Sequence, residues 1–282
     1  MTLSQLYRKA RSDFQNFGID SPQYDAMCLM EHFFGVNRAE LVVMGDKLPE
    51  AEFEQEFLKA VEKRSSGYPL QYILGKWTFM DIPLFVGEGV LVPRDDTEVL
   101  VREAIERIKS IENPKIIDLC SGSGAVAVAV AKACPRAEIF AVELSELAFS
   151  YLEKNIEYND CKNIKAVKGD MFKCHTNFAD GEFDAVLSNP PYIKSNVIAT
   201  LAREVQHEPK LALDGGADGM IFYNAIAENW RAKIRKNGFI GVEIGEDLTN
   251  EVVDLFKTNM LEDISVFKDM AELDRAVFGT VR

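Results

Sequence analysis

The stretch Asn189-Pro190-Pro191-Tyr192 holds residue types that could do chemistry. It follows an apolar run, 183–187, and Ser188, which predicts a buried strand that stops abruptly at a loop. Proline has no N–H and keeps the residue before it extended, so the loop offers acceptors and few donors. Tyr192 adds a flat ring with one polar tip. We expect a rigid slot that accepts hydrogen bonds from an N–H₂ group, although a proline-stiffened loop with no ligand would look the same.

A glycine-rich turn lies upstream of this slot. Residues 115–120 predict a strand, and the pattern Gly122-x-Gly124-x-x-Ala127 leads from it into a helix, as in nucleotide-binding turns. Asp118 places a negative group just before the turn, which an ammonium could use and a pyrophosphate could not. In this segment we predict a cofactor site formed by Asp118, Cys120, Ser121, Gly122, Ser123 and Gly124.

The next two predicted strands also end in polar residues. Glu143 lies about 20 residues past the glycine turn, where an acceptor for ribose hydroxyls is expected. Asp170 follows the third strand and could accept from the exocyclic amine of a base, with Met171 and Phe172 packing on its face. An aspartate that closes a strand is also often only a turn residue. We predict that these four residues, and Asn189, bind the cofactor too.

The elements needed to position these residues are those of an α/β fold. From Lys115 onward strands alternate with helices, which predicts a Rossmann-like, seven-stranded and mostly parallel sheet with an antiparallel hairpin at one edge. The predicted strands are 115–120, 137–144, 164–168, 183–188, 238–244, 264–268 and 275–281. The predicted helices are 124–133, 145–158, 219–236 and 247–259.

The first part of the chain has a different pattern. Residues 1–66 have apolar side chains at helical spacing, which predicts a small helical domain with a helix opened by Ser21-Pro22. This domain is either a stabilising cap or, as we expect, a domain that docks the substrate. Residues 67–93 mix aromatic and β-branched residues with Gly and Pro and predict a β-hairpin linker. Residues 94–282 form the predicted catalytic domain, and its first helix would open with a capping box of Asp95 and Glu98.

Composition excludes several classes of function. A net charge of −13 argues against a protein that grips nucleic-acid phosphates over a basic face. Five cysteines without C-x-x-C spacing and without a signal peptide predict reduced thiols in the cytoplasm. Three scattered histidines predict no metal site. No apolar run approaches the roughly 20 residues of a membrane span.

Several motifs in order along the chain resemble one family. The segment Asp118–Gly124, Glu143 and the Asn189–Tyr192 motif are similar to motifs of class I S-adenosylmethionine-dependent amino-group methyltransferases. Further motifs resemble those of the release factor glutamine methyltransferases, the PrmC/HemK family. They are Gly67-x-Pro69-x-Gln71-Tyr72-Ile73-x-Gly75, Val92-Pro93-Arg94-x-x-Thr97-Glu98, His207-Glu208-Pro209, Gly215-Gly216-x-Asp218-Gly219, Gly238-Phe239, Glu243-Ile244-Gly245 and Asp274-Arg275.

The resemblance implies N5-methylation of the glutamine in the Gly-Gly-Gln loop of peptide chain release factors. The methyl donor would be S-adenosyl-L-methionine and the product S-adenosyl-L-homocysteine. We also expect a monomer that binds no membrane and makes no direct contact with nucleic acid. The chain departs from the family pattern at Cys120, where glycine is usual, at Glu143, where aspartate is commoner, and at Asp95-Asp96, where Pro-Glu is usual. We expect cofactor binding to survive these changes.

The mechanism that we expect is one of positioning. The catalytic residues would be Asn189, Pro190 and Tyr192, and these with Pro191 would bind the substrate. The Asn189 side-chain oxygen and the Pro190 carbonyl would accept both N–H bonds of the substrate amide, while Tyr192 holds the amide plane.

Three alternatives remain at this point. The slot also fits adenine N6, so a DNA or RNA methyltransferase is possible, although the acidic charge opposes it. Methylation of a ribosomal-protein glutamine is a related activity. A non-catalytic binding module that uses the helical domain would come from another class, and the combination of cofactor turn and slot argues against it.

Overall fold

The computed structural model describes residues 1–282, which divide into two compact units. The first comprises Met1–Gly75 together with the short segment Ala202–His207. The second comprises Lys76–Leu201 and Glu208–Arg282. The main boundary between the units thus lies after Gly75. Residues 202–207, the return segment, come from the second half of the chain but belong to the first unit.

The first unit is entirely helical. Its helices are α1 (Leu3–Asn16), α2 (Pro22–Phe34), α3 (Arg38–Met44), α4 (Ala51–Ser65) and α5 (Leu70–Leu74). Capping boxes open two of them, Thr2 with Gln5 at α1 and Asn37 with Glu40 at α3. Ser21 stands at the N-cap of α2 as predicted, but its side chain makes no capping hydrogen bond. None of the protein's helices is long and apolar enough to cross a membrane.

A buried ion pair joins the return segment to these helices. The Arg64 guanidinium donates to Asp25 at 2.7 Å and lies 2.9 Å from Glu204 of the return segment. Burial raises the pKa of Asp25, and the Arg64 partner opposes that shift. The His207 ring packs edge-on against Tyr68, with centroids 5.3 Å apart. Residues 202–207 therefore have fixed partners inside the helical unit.

A β-hairpin opens the second unit. Its strands β1 (Lys76–Phe79) and β2 (Ile82–Phe85) pair antiparallel. The hairpin covers only residues 76–85 of the predicted range 67–93, whose first part is occupied by α5. Gly75, with a φ of 70°, ends that helix in the left-handed conformation.

The central sheet has seven strands. They are β3 (Lys115–Leu119), β4 (Glu138–Glu143), β5 (Ile164–Lys168), β6 (Phe183–Ser188), β7 (Ile234–Glu243), β8 (Leu261–Lys268) and β9 (Asp274–Val281). Their order is β5-β4-β3-β6-β7-β9-β8, and β9 runs antiparallel to both of its neighbours. The predicted mostly parallel sheet with an antiparallel edge hairpin is confirmed. Since β4 and β6 lie on either side of β3, the carboxyl ends of these three strands meet at the switch point where such folds bind ligands.

Five α-helices cover this sheet. They are α6 (Thr97–Ile108), α7 (Ala125–Ala133), α8 (Glu146–Tyr158), α9 (Ile221–Ala225) and α10 (Thr249–Thr258). The predicted capping box at α6 is wrong: its N-cap is Asp96, which makes no side-chain capping bond. The prediction of a helix over 219–236 is also too long. A π-helical turn, Ile226–Trp230, and a short 3₁₀ turn follow α9, and β7 begins at Ile234.

Two apolar cores lie on the two faces of the sheet. Successive residues of a strand point to opposite faces, so Ile116 joins one core and Ile117 the other. The first core contains the apolar sides of α6 and α7. The second contains the fully buried Trp230 and Phe256. These two layers hold the strand ends of the switch point in place.

Asn155 on α8 connects the hairpin to the glycine turn, and its loss should be measurable. It is fully buried, and its side chain bonds the N–H of Phe85 at 2.6 Å and the carbonyls of Phe85 and Ser123 at 3.0 and 2.8 Å. Asn155→Ala leaves buried backbone groups unpaired, so we expect the free energy of unfolding to fall by about 3 kcal/mol. Urea unfolding measures this. The exposed Asn250→Ala is the control, and an equal effect in both variants would contradict the assignment.

Candidate active site

The turn after β3 is held by residues in the left-handed conformation. The φ angles of Cys120, Gly122 and Gly124 are 58°, 57° and 84°. A side chain at Gly124 would also come within 2.7 Å of Leu152, so this position requires glycine. Cys120 adopts the same region with a side chain, and its Sγ lies 3.6 Å from the Met171 Sδ. The chain thus tolerates cysteine at this position at some cost in backbone strain.

A cleft opens at the carboxyl ends of β3, β4 and β6. Its empty space, counted with the open mouth, is about 1070 Å³. The structure brings eleven of the predicted site residues into its lining. They are Asp118, Cys120, Ser121, Gly122, Ser123, Glu143, Asp170, Met171, Phe172, Asn189 and Pro191. Gly124, Pro190 and Tyr192 lie outside the lining.

Asp118 is a buried acidic residue of the cleft whose carboxyl group lacks hydrogen-bond partners. Only 1% of it is exposed, and neither carboxylate oxygen has a hydrogen-bond partner in the protein. Burial raises its pKa to about 7, while the nearby Ser121 hydroxyl and Ala127 amide offset part of this shift and the charge of Glu143 adds to it. A buried carboxylate without partners is costly, and a cationic ligand group would supply what is missing.

Glu143 braces the glycine turn. Its Oε2 accepts from the Gly122 N–H at 2.8 Å and its Oε1 from the Ser145 N–H at 2.7 Å. The residue is 8% exposed and lines the cleft. Each carboxylate oxygen has a second lone pair, so the side chain can brace the turn and still accept from two hydroxyls.

Asp170 has the local contacts of a turn residue. Its Oδ1 accepts from the Phe172 N–H at 3.0 Å, and its Oδ2 lies 3.3 Å from Lys173. Met171 is buried, and its carbonyl accepts from the Trp230 indole at 3.0 Å. The Phe172 ring packs at a tilt against Phe222, with ring centroids 5.1 Å apart, and both residues line the cleft. This end of the cleft therefore has an apolar wall with a fixed backbone.

Asn189 presents its amide to the cleft in a defined orientation. Its Nδ2 donates to the Thr97 hydroxyl oxygen at 3.0 Å. Nothing in the protein donates to its Oδ1, and the Pro190 carbonyl likewise accepts no hydrogen bond. Two free acceptors thus follow β6, as the sequence predicts.

Tyr192 contacts a buried carboxylate beside this slot. Its hydroxyl donates to the Glu243 Oε1 at 3.2 Å. Glu243 ends β7, is 1% exposed, and its Oε2 has no hydrogen-bond partner. Burial raises the pKa of Glu243 to about 7, against the lowering effect of Thr97 and Tyr192 and with a further rise from Asp96. The expected contact of Tyr192 with a substrate amide stays a prediction.

Sequence reasoning missed several residues at the cleft. The end of the predicted linker supplies four lining residues, Gly89, Val90, Leu91 and Pro93, and Arg94 directly after it is a fifth. Arg94 pairs with the buried Glu208, which also accepts from the Val92 N–H at 3.3 Å. The sequence motifs contain Thr97 and Glu243 but assign neither of them a role at the site. The position of Glu243 at the carboxyl end of a strand next to β6 is the signal that could have found it.

Comparison with known proteins gives a consistent family. Residues 5–75 match the PrmC N-terminal domain, and residues 95–226 match the methyltransferase small domain. A release factor glutamine methyltransferase of Thermodesulfovibrio yellowstonii is 39% identical over 90% of this chain and 90% of its own. One of Caulobacter vibrioides is 34% identical over 99% of this chain and 96% of its own. The chain belongs to the release factor glutamine methyltransferase family.

Membership confirms the family that the sequence motifs predict. The protein is an S-adenosylmethionine-dependent protein-glutamine methyltransferase. Among solved structures, the hMettl16 catalytic domain is similar with a TM-score of 0.55 and 13% identity, over 83% of this chain and 84% of its own. At this level of sequence identity, the similarity shows only that the two proteins share the methyltransferase fold.

Proposed function

We propose that this enzyme methylates the side-chain nitrogen of the glutamine in the Gly-Gly-Gln loop of peptide chain release factors. The observation that carries the proposal is the free acceptor Asn189 Oδ1, on a residue that lines the same cleft as Asp118 and Glu143, with the free Pro190 carbonyl next to it in the chain. A primary amide has two N–H bonds, which two acceptors can hold. The named relatives act on release factors, and this chain matches them over nearly its full length.

The cleft residues fit S-adenosylmethionine. The unpartnered Asp118 carboxylate suits the ammonium of its amino-acid part, and the second lone pairs of Glu143 suit the two ribose hydroxyls. Met171 and Phe172 offer an apolar wall for the adenine, with Asp170 beside it. When bound, the cofactor supplies an electrophilic methyl group on a sulfonium.

The chain's own contribution at the acceptor is positioning. An amide nitrogen is a weak nucleophile because its lone pair is delocalised into the carbonyl. Acceptors on both N–H bonds fix the nitrogen and stabilise the positive charge that develops on it. Pro191 closes the cleft beside them. No dedicated base is required during the transfer, and the methylated nitrogen then loses one of its two protons to water.

The remaining proposals concern the partner and the setting. We infer that the helical unit, residues 1–66 in the predicted division, docks the release factor and that the enzyme acts as a monomer. Its net charge of −13 favours a protein with a basic surface over nucleic acid as partner. All five cysteines are unpaired, which supports a reducing, cytoplasmic location.

The test is methyl transfer from radiolabelled S-adenosylmethionine to a panel of acceptors. The panel is a release factor, the same factor with its Gly-Gly-Gln glutamine changed to alanine, ribosomal protein and duplex DNA. We expect label on the intact release factor alone. Label on DNA or on ribosomal protein would be consistent with the proposed cleft chemistry but would refute the release factor as the substrate. If the protein binds the cofactor but labels no acceptor, the proposal that it catalyses methyl transfer is refuted.

A further inference from the structure

We propose that residues 213–219, the supporting segment, position the Pro190 carbonyl for the substrate amide by packing on the backbone that follows this carbonyl. The inference rests on the proposed function, in which the Pro190 carbonyl accepts one of the two amide N–H bonds. No residue of the supporting segment lines the cleft, so none of them needs to touch the substrate or the cofactor. They act through the loop after β6, as positioning residues.

Two glycines bring the supporting segment into contact with the backbone of this loop. A Cβ atom at Gly215 would lie 2.6 Å from the Tyr192 Cα and 2.9 Å from the Pro191 carbonyl oxygen. A Cβ atom at Gly219 would lie 2.6 Å from the Tyr192 carbonyl oxygen. Ordinary contacts of a Cβ atom are 3.4–4 Å long, and backbone atoms cannot turn aside as the end of a side chain can. Only glycine therefore allows so close an approach at these two positions.

Hydrogen bonds hold the loop on the supporting segment. The Ile193 N–H donates to the Leu213 carbonyl, and the Ile193 carbonyl accepts from the Gly215 N–H, both at 2.9 Å. The Tyr192 side chain is held separately, since its hydroxyl donates to the Glu243 Oε1 at 3.2 Å. The chain directly after Pro191 is thus fixed at its backbone and at its aromatic side chain.

A fixed backbone at Pro191 also determines where the Pro190 carbonyl points. The ring of Pro191 locks its own φ at about −65°, and the peptide group that joins the two prolines is planar. No free rotation therefore remains between the Pro191 Cα and the Pro190 carbonyl. Contacts that hold Pro191 and Tyr192 in place consequently set the direction of the acceptor.

Gly215→Ala tests this arrangement. Gly215 lies outside the left-handed region, so alanine adds a contact and no backbone strain. Loop and supporting segment must then separate by about 1 Å, a misplacement that can cost roughly 100-fold in rate. We expect kcat to fall about 10- to 100-fold with little change in the dissociation constant of S-adenosylmethionine. An unchanged kcat would overturn the inference.

Gly279→Ala on β9 is the control for a general loss of stability. A Cβ atom there would lie 3.0 Å from Phe256 and 3.1 Å from Leu261, both of which belong to the second core. We expect a lower Tm and the wild-type kcat, measured at a temperature at which both variants are folded. An equal loss of kcat in Gly279→Ala and Gly215→Ala would overturn the positioning role.

Asp214→Ala loosens the supporting segment without adding an atom. The Asp214 Oδ1 accepts from the Ser195 hydroxyl at 2.5 Å and from the Gly216 N–H at 3.0 Å. We expect kcat to fall, although less than in Gly215→Ala. Asp214→Asn keeps an oxygen that can accept both bonds and loses only the charge, so it should restore the rate. Equal losses in Asp214→Ala and Asp214→Asn would contradict this part of the inference.

Hydrogen exchange of the Ile193 amide reports the contact without any methyl acceptor, which separates this inference from the proposed function. In protein labelled with ¹⁵N at isoleucine, its signal can be assigned by its loss in Ile193→Val. We expect slow exchange in the wild type, in Gly279→Ala and in Asp214→Asn. Exchange should be faster in Gly215→Ala and in Asp214→Ala. Equal exchange in all of these proteins would overturn the inference, whichever substrate the enzyme uses.

Discussion

Asn189→Ala is expected to lower the rate of methyl transfer by about 10²- to 10³-fold, the usual effect of removing one preorganised group that stabilises transition-state charge. The variant loses Oδ1, the one free side-chain acceptor beside the Pro190 carbonyl. Single-turnover transfer from labelled S-adenosylmethionine measures the loss. Cofactor affinity, measured by calorimetry, should change little, because Asp118 and Glu143 remain in the cleft.

Two controls accompany this variant. Asn177→Ala removes an exposed asparagine side chain with no hydrogen bond to protein and should leave the rate unchanged. Asn189→Asp keeps an oxygen but cannot donate to Thr97, so it also loses rate. Turnover of Asn189→Ala at the wild-type rate would refute the role given to this side chain.

Asp118→Asn is expected to weaken cofactor binding and to stabilise the protein. The affinity for S-adenosylmethionine should fall roughly 10- to 100-fold, the value of one charge-assisted hydrogen bond to the ammonium. The free energy of unfolding should rise at neutral pH because the variant no longer holds a buried carboxylate without partners. Function and stability thus change in opposite directions at this residue.

The gain in stability from Asp118→Asn should depend on pH. The pKa of Asp118 lies at about 7 in the folded protein, above its ordinary value of 3.8. Between these two pH values the folded state therefore binds more protons than the unfolded state. Wild-type stability therefore falls as pH rises from about 4 to about 7. The gain from Asp118→Asn should be absent near pH 4 and reach roughly 2–4 kcal/mol above pH 7. Urea unfolding at pH 5 and pH 8 measures it, and an equal gain at both would contradict the burial argument.

The sequence predicts most of the sheet because its signals are local. Apolar runs bounded by Gly, Pro and charged residues mark β3 to β6 to within a residue or two, and Gly122 and Gly124 mark the turn by their spacing. β7 is the exception. Asn237-Gly238 is typical of a turn, but here it forms an irregularity inside the strand, with Asn237 at a φ of 65° and the register shifted opposite Phe183 and Ala185.

The site is predictable only in part, because some of its contacts join distant segments. Asp118, Glu143 and Asn189 each end a strand, and parallel strands bring their carboxyl ends together. The bond from Asn189 to Thr97 joins residues that are 92 positions apart, and no sequence pattern predicts it. Residues 89–94 likewise reach the cleft only because the chain after the hairpin folds back onto it. That path is determined by tertiary packing and not by a local sequence pattern.

The measurement that tests the central claim most directly is fragmentation mass spectrometry of a release factor after incubation with the enzyme and S-adenosylmethionine. The account predicts one added methyl group, located on the side-chain nitrogen of the Gly-Gly-Gln glutamine, and its absence when Asn189→Ala replaces the wild type for a single-turnover period. A methyl group on another residue of the factor would contradict it, as would an unmodified factor beside a methylated ribosomal protein.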